Sequence, residues 1–210
     1  MRLPFQEKEY PGLLIVGEGT SRSGKTTFLR SLAAELPDSL PIEWNSYPDF
    51  RPAVDCLKKA RALDPITHSL VSVTDYALTF RQRALPVLRA GGVVLSDRYL
   101  FTSWVRDTAR GVPASLVADL CAQFPRPDLV CYFQAPAELT VARFRERPEI
   151  YGYYATGSDI WPDLSPEDAF RRYFEAQAAG YGELAEANDF VTEDHRAHAS
   201  ACLSAMLPSA

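Results

Sequence analysis

What the 210-residue chain lacks narrows its class before any motif is considered. No apolar run approaches the roughly 18 residues of a bilayer span, so no membrane segment is expected. The stretch Met1-Arg2-Leu3-Pro4-Phe5-Gln6-Glu7-Lys8-Glu9 has no apolar h-region of the kind a secretion signal carries, and a cytoplasmic location is the expectation. Cysteine is scarce: Cys56, Cys121, Cys131 and Cys202 lie far apart with no C-x-x-C pair. That speaks against a metal knot and for buried thiols in a reducing compartment. Of the three histidines, His195 and His198 form one i,i+3 pair, which fits a solvated helix face better than a metal site. An excess of positive charge is also missing. Lys and Arg number 22 against 27 Asp and Glu, a formal charge of −5, which argues against a broad nucleic-acid-binding face. There is no internal repeat and no low-complexity tract.

What is present is ordinary for a globular protein, with 47% hydrophobic and 23% charged residues. The length suits a single domain over 1–210, burying around 70% of its extended surface. One stretch organises the rest. Gly19-Thr20-Ser21-Arg22-Ser23-Gly24-Lys25-Thr26 has the spacing G-x-x-x-x-G-K-[ST] of a phosphate-binding P-loop. The run Leu13-Leu14-Ile15-Val16-Gly17 before it reads as a buried strand. After it, Phe28, Leu29, Leu32 and Leu36 recur at helical spacing. Strand, glycine loop and helix together give the motif its physical sense. Glycines let the backbone approach an anion, successive N–H groups form a nest, and the helix start adds its positive dipole end. Thr20, Ser21, Arg22, Ser23 and Thr27 complete the predicted ATP-binding loop around Gly19, Gly24, Lys25 and Thr26. Lys25 is expected to reach the β- and γ-phosphates, and Thr26 to hold Mg²⁺.

Further along, Ile42 to Asn45 reads as a second strand and Tyr47 to Pro52 as a loop, since its two prolines forbid regular structure. A helix is predicted over Val54 to Ala62, and a long one over Thr67 to Arg89 with a kink or restart at Pro86. Val93-Val94-Leu95-Ser96 is apolar without alternation, the look of a central parallel strand. Two shorter helices follow over 100–124, divided near Gly111, then a strand over Asp128 to Phe133 and a helix over Ala137 to Arg147. Residues 148–164 have no clear period and form a segment long enough to suspect function. Ser165-Pro166-Glu167-Asp168 opens another helix, with Ser at the N-cap and Pro at the first helical position. Phe190-Val191-Thr192 reads as a last edge strand before a C-terminal helix. Strands alternating with helices imply a parallel α/β sheet.

Ligands bind at the carboxyl ends of such strands. Asp97 falls there, followed by Arg98 and Tyr99. An acid at this place can hold the nucleotide Mg²⁺ or accept a proton from the phosphoryl acceptor, and Arg98 can grip an acceptor phosphate. Arg143 and Arg147 share one helix face beside residues 148–164. They are suited to closing over the transferred group, with Arg145 pointing elsewhere. Arg22 supplies a further cation where transition-state charge spreads. Catalytic candidates are therefore Lys25, Arg22, Asp97, Arg98, Arg143 and Arg147, with Thr26 and Asp97 for the metal. An anionic acceptor needs cations besides those on ATP, for which Arg51, Arg81, Arg83 and Arg98 are available, and Tyr47, Tyr76 and Tyr99 can border a base.

Glu18-Gly19 through Gly24-Lys25-Thr26-Thr27, then Asp97-Arg98-Tyr99 with Ser103 beyond, resemble the thymidylate kinases of the nucleoside monophosphate kinase group. Pro127-Asp128-Leu129-Val130 leading to Arg143 and Arg147, and the aromatic helix before Tyr181, are similar too. The resemblance implies a three-layer α/β/α fold with a five-stranded parallel sheet in the order 2-3-1-4-5 and a lid over about 148–164. It implies transfer of the ATP γ-phosphoryl group, with Mg²⁺, to a nucleoside monophosphate such as dTMP or a related pyrimidine nucleotide. A homodimer is implied by resemblance only. The acceptor side departs from the family: Ser21 replaces an acid, Asp75-Tyr76 stands where the family has an acid or amide followed by arginine, and Tyr47-Pro48-Asp49-Phe50-Arg51 only approximates its Phe-Pro-x-Arg loop. The expected acceptor contacts are Ser21, Tyr47, Arg51, Tyr76, Arg81, Arg98 and Tyr99. Two alternatives stand beside this reading. One is a P-loop kinase acting on a nucleoside or another small alcohol. The other is a nucleotide-dependent switch or assembly protein, although no N-K-x-D run is present.

Overall fold

The computed structural model describes residues 1–206. Four parallel strands form its sheet: β1 (Leu13–Gly19), β2 (Leu40–Glu43), β3 (Val93–Asp97) and β4 (Leu129–Phe133), in the spatial order β2-β3-β1-β4. β1 is buried along its whole length, as its unbroken apolar character requires of a strand covered on both faces. Its side chains alternate between two cores. Leu13 and Ile15 meet Leu29 and Leu32 of α1 (Lys25–Glu35) and Ala199 of α9 (His195–Met206). Leu14 and Val16 face the larger core with Tyr76, Phe80, Tyr99, Phe101 and Phe124.

The expected fifth strand is reduced to one bridge. Val191 N–H donates to Val130 O (2.9 Å) and Val191 O accepts from Tyr132 N–H (2.8 Å), pairing Val191 with Cys131 at the outer edge of β4. The stretch cannot lengthen because Asp189 and Asp194 on either side both have positive φ, 58° and 49°, which turns the chain out of the extended region. The order of the four formed strands agrees with expectation.

The long helix read over Thr67 to Arg89 is three pieces. α3 (Pro65–Thr79) starts from an Asp64 cap, a π segment covers Phe80–Ala84, and α4 (Leu85–Arg89) ends it. Pro86 near the start of α4 explains the π segment. A proline ring clashes with the carbonyl four residues back in an α-helix, and widening the preceding turn removes that clash.

Four elements frame the site. α2 (Arg51–Lys59) and α3 stand on one side, α5 (Leu100–Thr108) forms the floor, and α8 (Pro166–Ala187) closes the far wall. The Ser165 cap of α8 is formed as expected, its Oγ accepting from Asp168 N–H at 3.1 Å. α6 (Ala114–Cys121) and α7 (Ala137–Glu146) complete the set, and a short 3₁₀ turn at Pro148–Ile150 leads into residues 151–164. That segment is built of turns and is pinned at its middle. The Arg110 guanidinium, 2% exposed, pairs with Asp159 at 2.7 Å and donates to Tyr154 O and Tyr173 OH. Tyr154 OH donates to Leu63 O at 3.0 Å and accepts from Leu63 N–H at 3.1 Å.

Candidate active site

β1 delivers its last residue straight into the phosphate loop. Gly19 has φ 132° and sits so close to β4 that a Cβ there would lie 2.1 Å from Phe133 O, so only glycine fits. Gly24, with φ 105°, turns the chain into α1 and leaves the first N–H groups of that helix free for an anion. Lys25 folds back into the loop, its Nζ donating to Thr20 O at 2.7 Å. Burial, followed by the Arg98 charge, holds the Lys25 ammonium well below the usual lysine range. A bound triphosphate reverses that balance, since an opposite charge favours the protonated form. The Thr20 hydroxyl is buried and has no partner among the described residues, and it is the backbone carbonyl of this residue that meets Lys25.

β3 sets the second part by register. Gly17 of β1 is opposite Asp97 of β3, which brings the Asp97 carboxylate to the hydroxyl of Thr26; the two are hydrogen-bonded. Two hard oxygen donors at the mouth of a phosphate loop are the chemistry Mg²⁺ takes, alongside water and phosphate oxygens, so the residues fit that ion. Among the described residues no group of three or more His, Cys, Asp or Glu side chains forms a metal cluster, and an all-protein metal cage is not what this site is.

Behind the loop lies a buried brace that the sequence reading passed over. Glu18 is 0% exposed and accepts from Tyr99 N–H (2.7 Å), Thr102 Oγ1 (2.8 Å), Tyr181 OH (3.0 Å) and Thr102 N–H (3.2 Å). Burial raises its pKa, opposed by the Arg98 charge and these hydrogen bonds. Arg98 has φ 78° and turns inward to this brace, its Nη1 donating to Gly19 O at 2.9 Å and to Thr102 Oγ1 at 3.2 Å. Arg98 and Glu18 together therefore fix the start of the phosphate loop against α5 and α8.

Beside the loop opens a cavity of about 490 Å³, with Ser21 at its phosphate-loop end, Arg51 and Lys58 from α2, His68 from α3 and Arg106 from α5. Its size is that of a small-molecule site. Of the expected acceptor contacts, Ser21 and Arg51 line it. The others are placed elsewhere. Tyr76 is fully buried in the core, stacked on Trp44 (4.8 Å between centroids) and hydrogen-bonded to Ser96. Tyr99 is also fully buried and donates to Pro125 O at 2.7 Å. Arg81 is on the π segment and reaches Gln123 O at 3.3 Å, away from the cavity. Tyr47 donates to Gln82 Oε1 at 2.6 Å, and its N–H is held by Asp75, so Asp75 positions the loop before α2. The reason is common to Tyr76 and Tyr99: their aromatic area is worth more in the core than at a wet wall, about 2–3 kcal/mol each when fully buried.

On the loop's other side, Arg143 Nη1 donates to Arg22 O at 2.7 Å, while the Arg22 guanidinium lies 5.4 Å from the Tyr151 ring centroid. Arg147 caps α7 and is exposed, and Arg145 pairs with Glu167. Missed by the sequence reading were Arg106, Arg110 and Lys58, and Glu18 was named there without a role. A signal for two of them exists in Thr102, Arg106 and Arg110, polar residues at four-residue intervals along α5 and the turn that follows it.

A phosphate loop with an acid paired to its threonine, an arginine from a neighbouring helix at its rim and an adjoining cation-lined cavity define a P-loop phosphotransferase. The family model described as Thymidylate kinase matches residues 18–156. The probable thymidylate kinase 2 of Saccharolobus solfataricus is 30% identical over 187 residues, spanning 87% of this chain and 88% of that protein. A thymidylate kinase of Xylella fastidiosa is 27% identical, with 71% and 70% covered. The crystal structure of thymidylate kinase from Ehrlichia chaffeensis shares the fold, with a TM-score of 0.67 at 17% identity, over 91% of this chain and 98% of that one. The chain belongs to the thymidylate kinase family, whose members are ATP-dependent nucleoside monophosphate kinases.

Proposed function

We propose that the chain transfers the γ-phosphoryl group of ATP to dTMP, held in the cavity beside the phosphate loop. The observation that carries this reading is that Ser21, inside the phosphate loop, is also a wall of that cavity, so donor and acceptor share one boundary. In this arrangement Lys25 and the loop N–H groups bind the donor phosphates. Arg143, anchored at Arg22 O, brings a guanidinium to the rim of the transfer site. Arg22, with its guanidinium near the Tyr151 ring, adds a second. Tyr151 and the turns after it form the lid over the loop, shutting out water that would otherwise take the phosphoryl group. Thr26 and Asp97 would hold Mg²⁺, which when bound neutralises charge on the β- and γ-phosphates. A phosphate oxygen needs no deprotonation to act as acceptor, so Asp97 works here as a holder of Thr26 and the metal and not as a base.

Support for a homodimer is the exposed apolar face of α2 and α3, where Leu57 (39%), Ile66 (44%) and Leu70 (43%) face outward. Sedimentation of the wild type and of Leu70→Glu checks it, a dimer that dissociates in the variant being expected. A cytoplasmic location is supported by four free cysteines, and among the described residues no helix is long and apolar enough to cross a membrane.

A panel of nucleosides and nucleoside monophosphates with ATP and Mg²⁺ tests the acceptor. Turnover confined to monophosphates, with dTMP foremost, is the expected result. Phosphorylation of thymidine in preference to dTMP would overturn it.

A further inference from the structure

Beyond the acceptor cavity a second one, of about 390 Å³, opens at Thr26 and is walled by α1, β2, β3 and the π segment. Thr26 and Asp97 line it. So does Glu43, the last residue of β2, to which the sequence reading gave no part.

Alternation and register aim the Glu43 carboxylate. Ile42 and Trp44, on either side of it, both belong to the larger core with Tyr76, so Glu43 points to the other face of the sheet. That face carries α1, since Leu95, two residues before Asp97, packs with Leu29 and Leu32. Glu43 is opposite Asp97 in the parallel pairing of β2 with β3, and opposed residues of neighbouring strands, about 4.8 Å apart, share a face. The strand end is held on both sides. Trp44 N–H donates to Asp97 O at 3.1 Å, and Ser46 Oγ donates back to Glu43 O at 2.6 Å. The Glu43 side chain itself has no hydrogen bond or ion pair among the described residues, although Arg30 and Arg83 line the same cavity.

Mg²⁺ is octahedral, gives up water reluctantly and keeps several waters in phosphate sites. Thr26, Asp97 and a triphosphate supply only part of six ligands, and the waters that remain need hydrogen-bond acceptors. Such outer partners matter, since removing one costs about ten- to a hundredfold in metal affinity. The cavity leaves room for water beside Thr26, and Glu43 is the carboxylate other than Asp97 that lines it.

We infer that Glu43 is a metal-positioning residue: its carboxylate accepts from water on the nucleotide's Mg²⁺ and holds the ion toward Thr26 and Asp97. The inference rests on the reading of Thr26 and Asp97 as the metal-holding pair, and extends it to a side chain on the edge strand.

The test measures the metal dependence of nucleotide binding, without turnover. Calorimetry gives the affinity for adenylyl imidodiphosphate, an ATP analogue that resists transfer, in excess Mg²⁺ and in EDTA. In Glu43→Gln and Glu43→Ala the affinity in Mg²⁺ should fall roughly tenfold, while that in EDTA changes less than about twofold. Glu43→Asp, which keeps the charge on a shorter stem, should recover part of the loss. In turnover assays the Mg²⁺ concentration for half-maximal rate should rise by more than the rate at saturating Mg²⁺ falls. Affinities in Mg²⁺ within about twofold of wild type in both the Gln and Ala variants overturn the inference, as does an equal loss in EDTA, the mark of a structural role. Asp97→Ala separates the two levels. A loss of Mg²⁺-dependent affinity there, with none in the Glu43 variants, defeats the inference alone, and no loss in any of them defeats the metal reading as well.

Discussion

Arg143 of α7 donates to the carbonyl oxygen of Arg22 at 2.7 Å, so a helix 121 residues away in sequence is tied to the middle of the phosphate loop. This contact separates two arginines that the sequence presents as equals. Arg143 reaches the loop, whereas Arg147, one turn on, caps the helix and is exposed. Arg143→Ala should lower kcat roughly a hundredfold, the scale of losing a charge-stabilising group. Arg147→Ala should change it less than about threefold. Steady-state kinetics on the two variants checks this, and equal losses would contradict the assignment.

In the proposed mechanism Lys25 and Asp97 act at the donor. Lys25→Ala removes the buried ammonium of the loop, and Asp97→Ala removes the partner of the Thr26 hydroxyl. Each should lower turnover at least about a hundredfold. For Asp97→Ala, raising Mg²⁺ should recover part of the activity, whereas Lys25→Ala should be insensitive to it. Titrating Mg²⁺ in the assay distinguishes the two, and near-wild-type rates in either variant would sink the donor mechanism.

Glu18 carries structural weight. Three of its hydrogen bonds come from backbone N–H groups, those of Tyr99, Thr102 and, at 3.4 Å, Gly19, which can only donate, and Arg98 stands beside it. Glu18→Gln keeps the shape but removes the negative charge from that arginine. Leaving a partly buried charge without its partner should cost about 2 kcal/mol or more. Urea unfolding at pH 7 measures it, and a loss below about 0.5 kcal/mol would mean that the brace does not depend on charge.

His68 gives a pH signature. It is 7% exposed, stacked on Tyr154 at 5.0 Å, and its Nδ1 has no hydrogen-bond partner among the described residues. Burial, then the charges of Arg110, Lys58 and Arg106, pull its pKa from 6.5 to about 2. Asp107 lies 3.9 Å away, too far for a hydrogen bond, and its charge is taken up by Ser69 and Ser103. The unfolded chain therefore binds a proton below about pH 6.5 that the folded chain refuses, and stability falls as pH falls through that range. The slope for one such group is about 1.4 kcal/mol per pH unit. The difference in unfolding free energy between wild type and His68→Gln should change by about that slope between pH 6 and pH 5. A pH-independent difference would show that His68 protonates in the folded state.

The donor half of this molecule was legible because its chemistry is local in sequence. Gly19, Gly24, Lys25 and Thr26 lie within eight residues, and their placement follows from one loop and one helix start. The placement of Asp97 at Thr26 was legible because strand ends in a parallel sheet gather at one edge, beside the phosphate loop. The acceptor half is assembled from α2, α3, α5, α8 and the turns near Tyr154, and no spacing rule joins those elements. Tyrosine misled for a physical reason. Its ring suits both a base and a core, and Tyr76 and Tyr99 went to the core. Arginine misled because a charge in sequence carries no label for whether it is spent. Arg98 and Arg110 are bonded at several points within the protein, and the Arg106 side chain has one long hydrogen bond, 3.4 Å to Gln177. The last strand was overread because three apolar or β-branched residues between left-handed aspartates form one bridge and no ladder.

The central claim is that phosphoryl transfer passes directly from ATP in the loop to a monophosphate in the cavity. Incubation with γ-labelled ATP, Mg²⁺ and dTMP, followed by separation of the products, tests it most directly. Label should appear in dTDP in equal amount to the ADP formed, with little free phosphate. Label released as inorganic phosphate, or ADP formed at a rate independent of dTMP, would contradict the account.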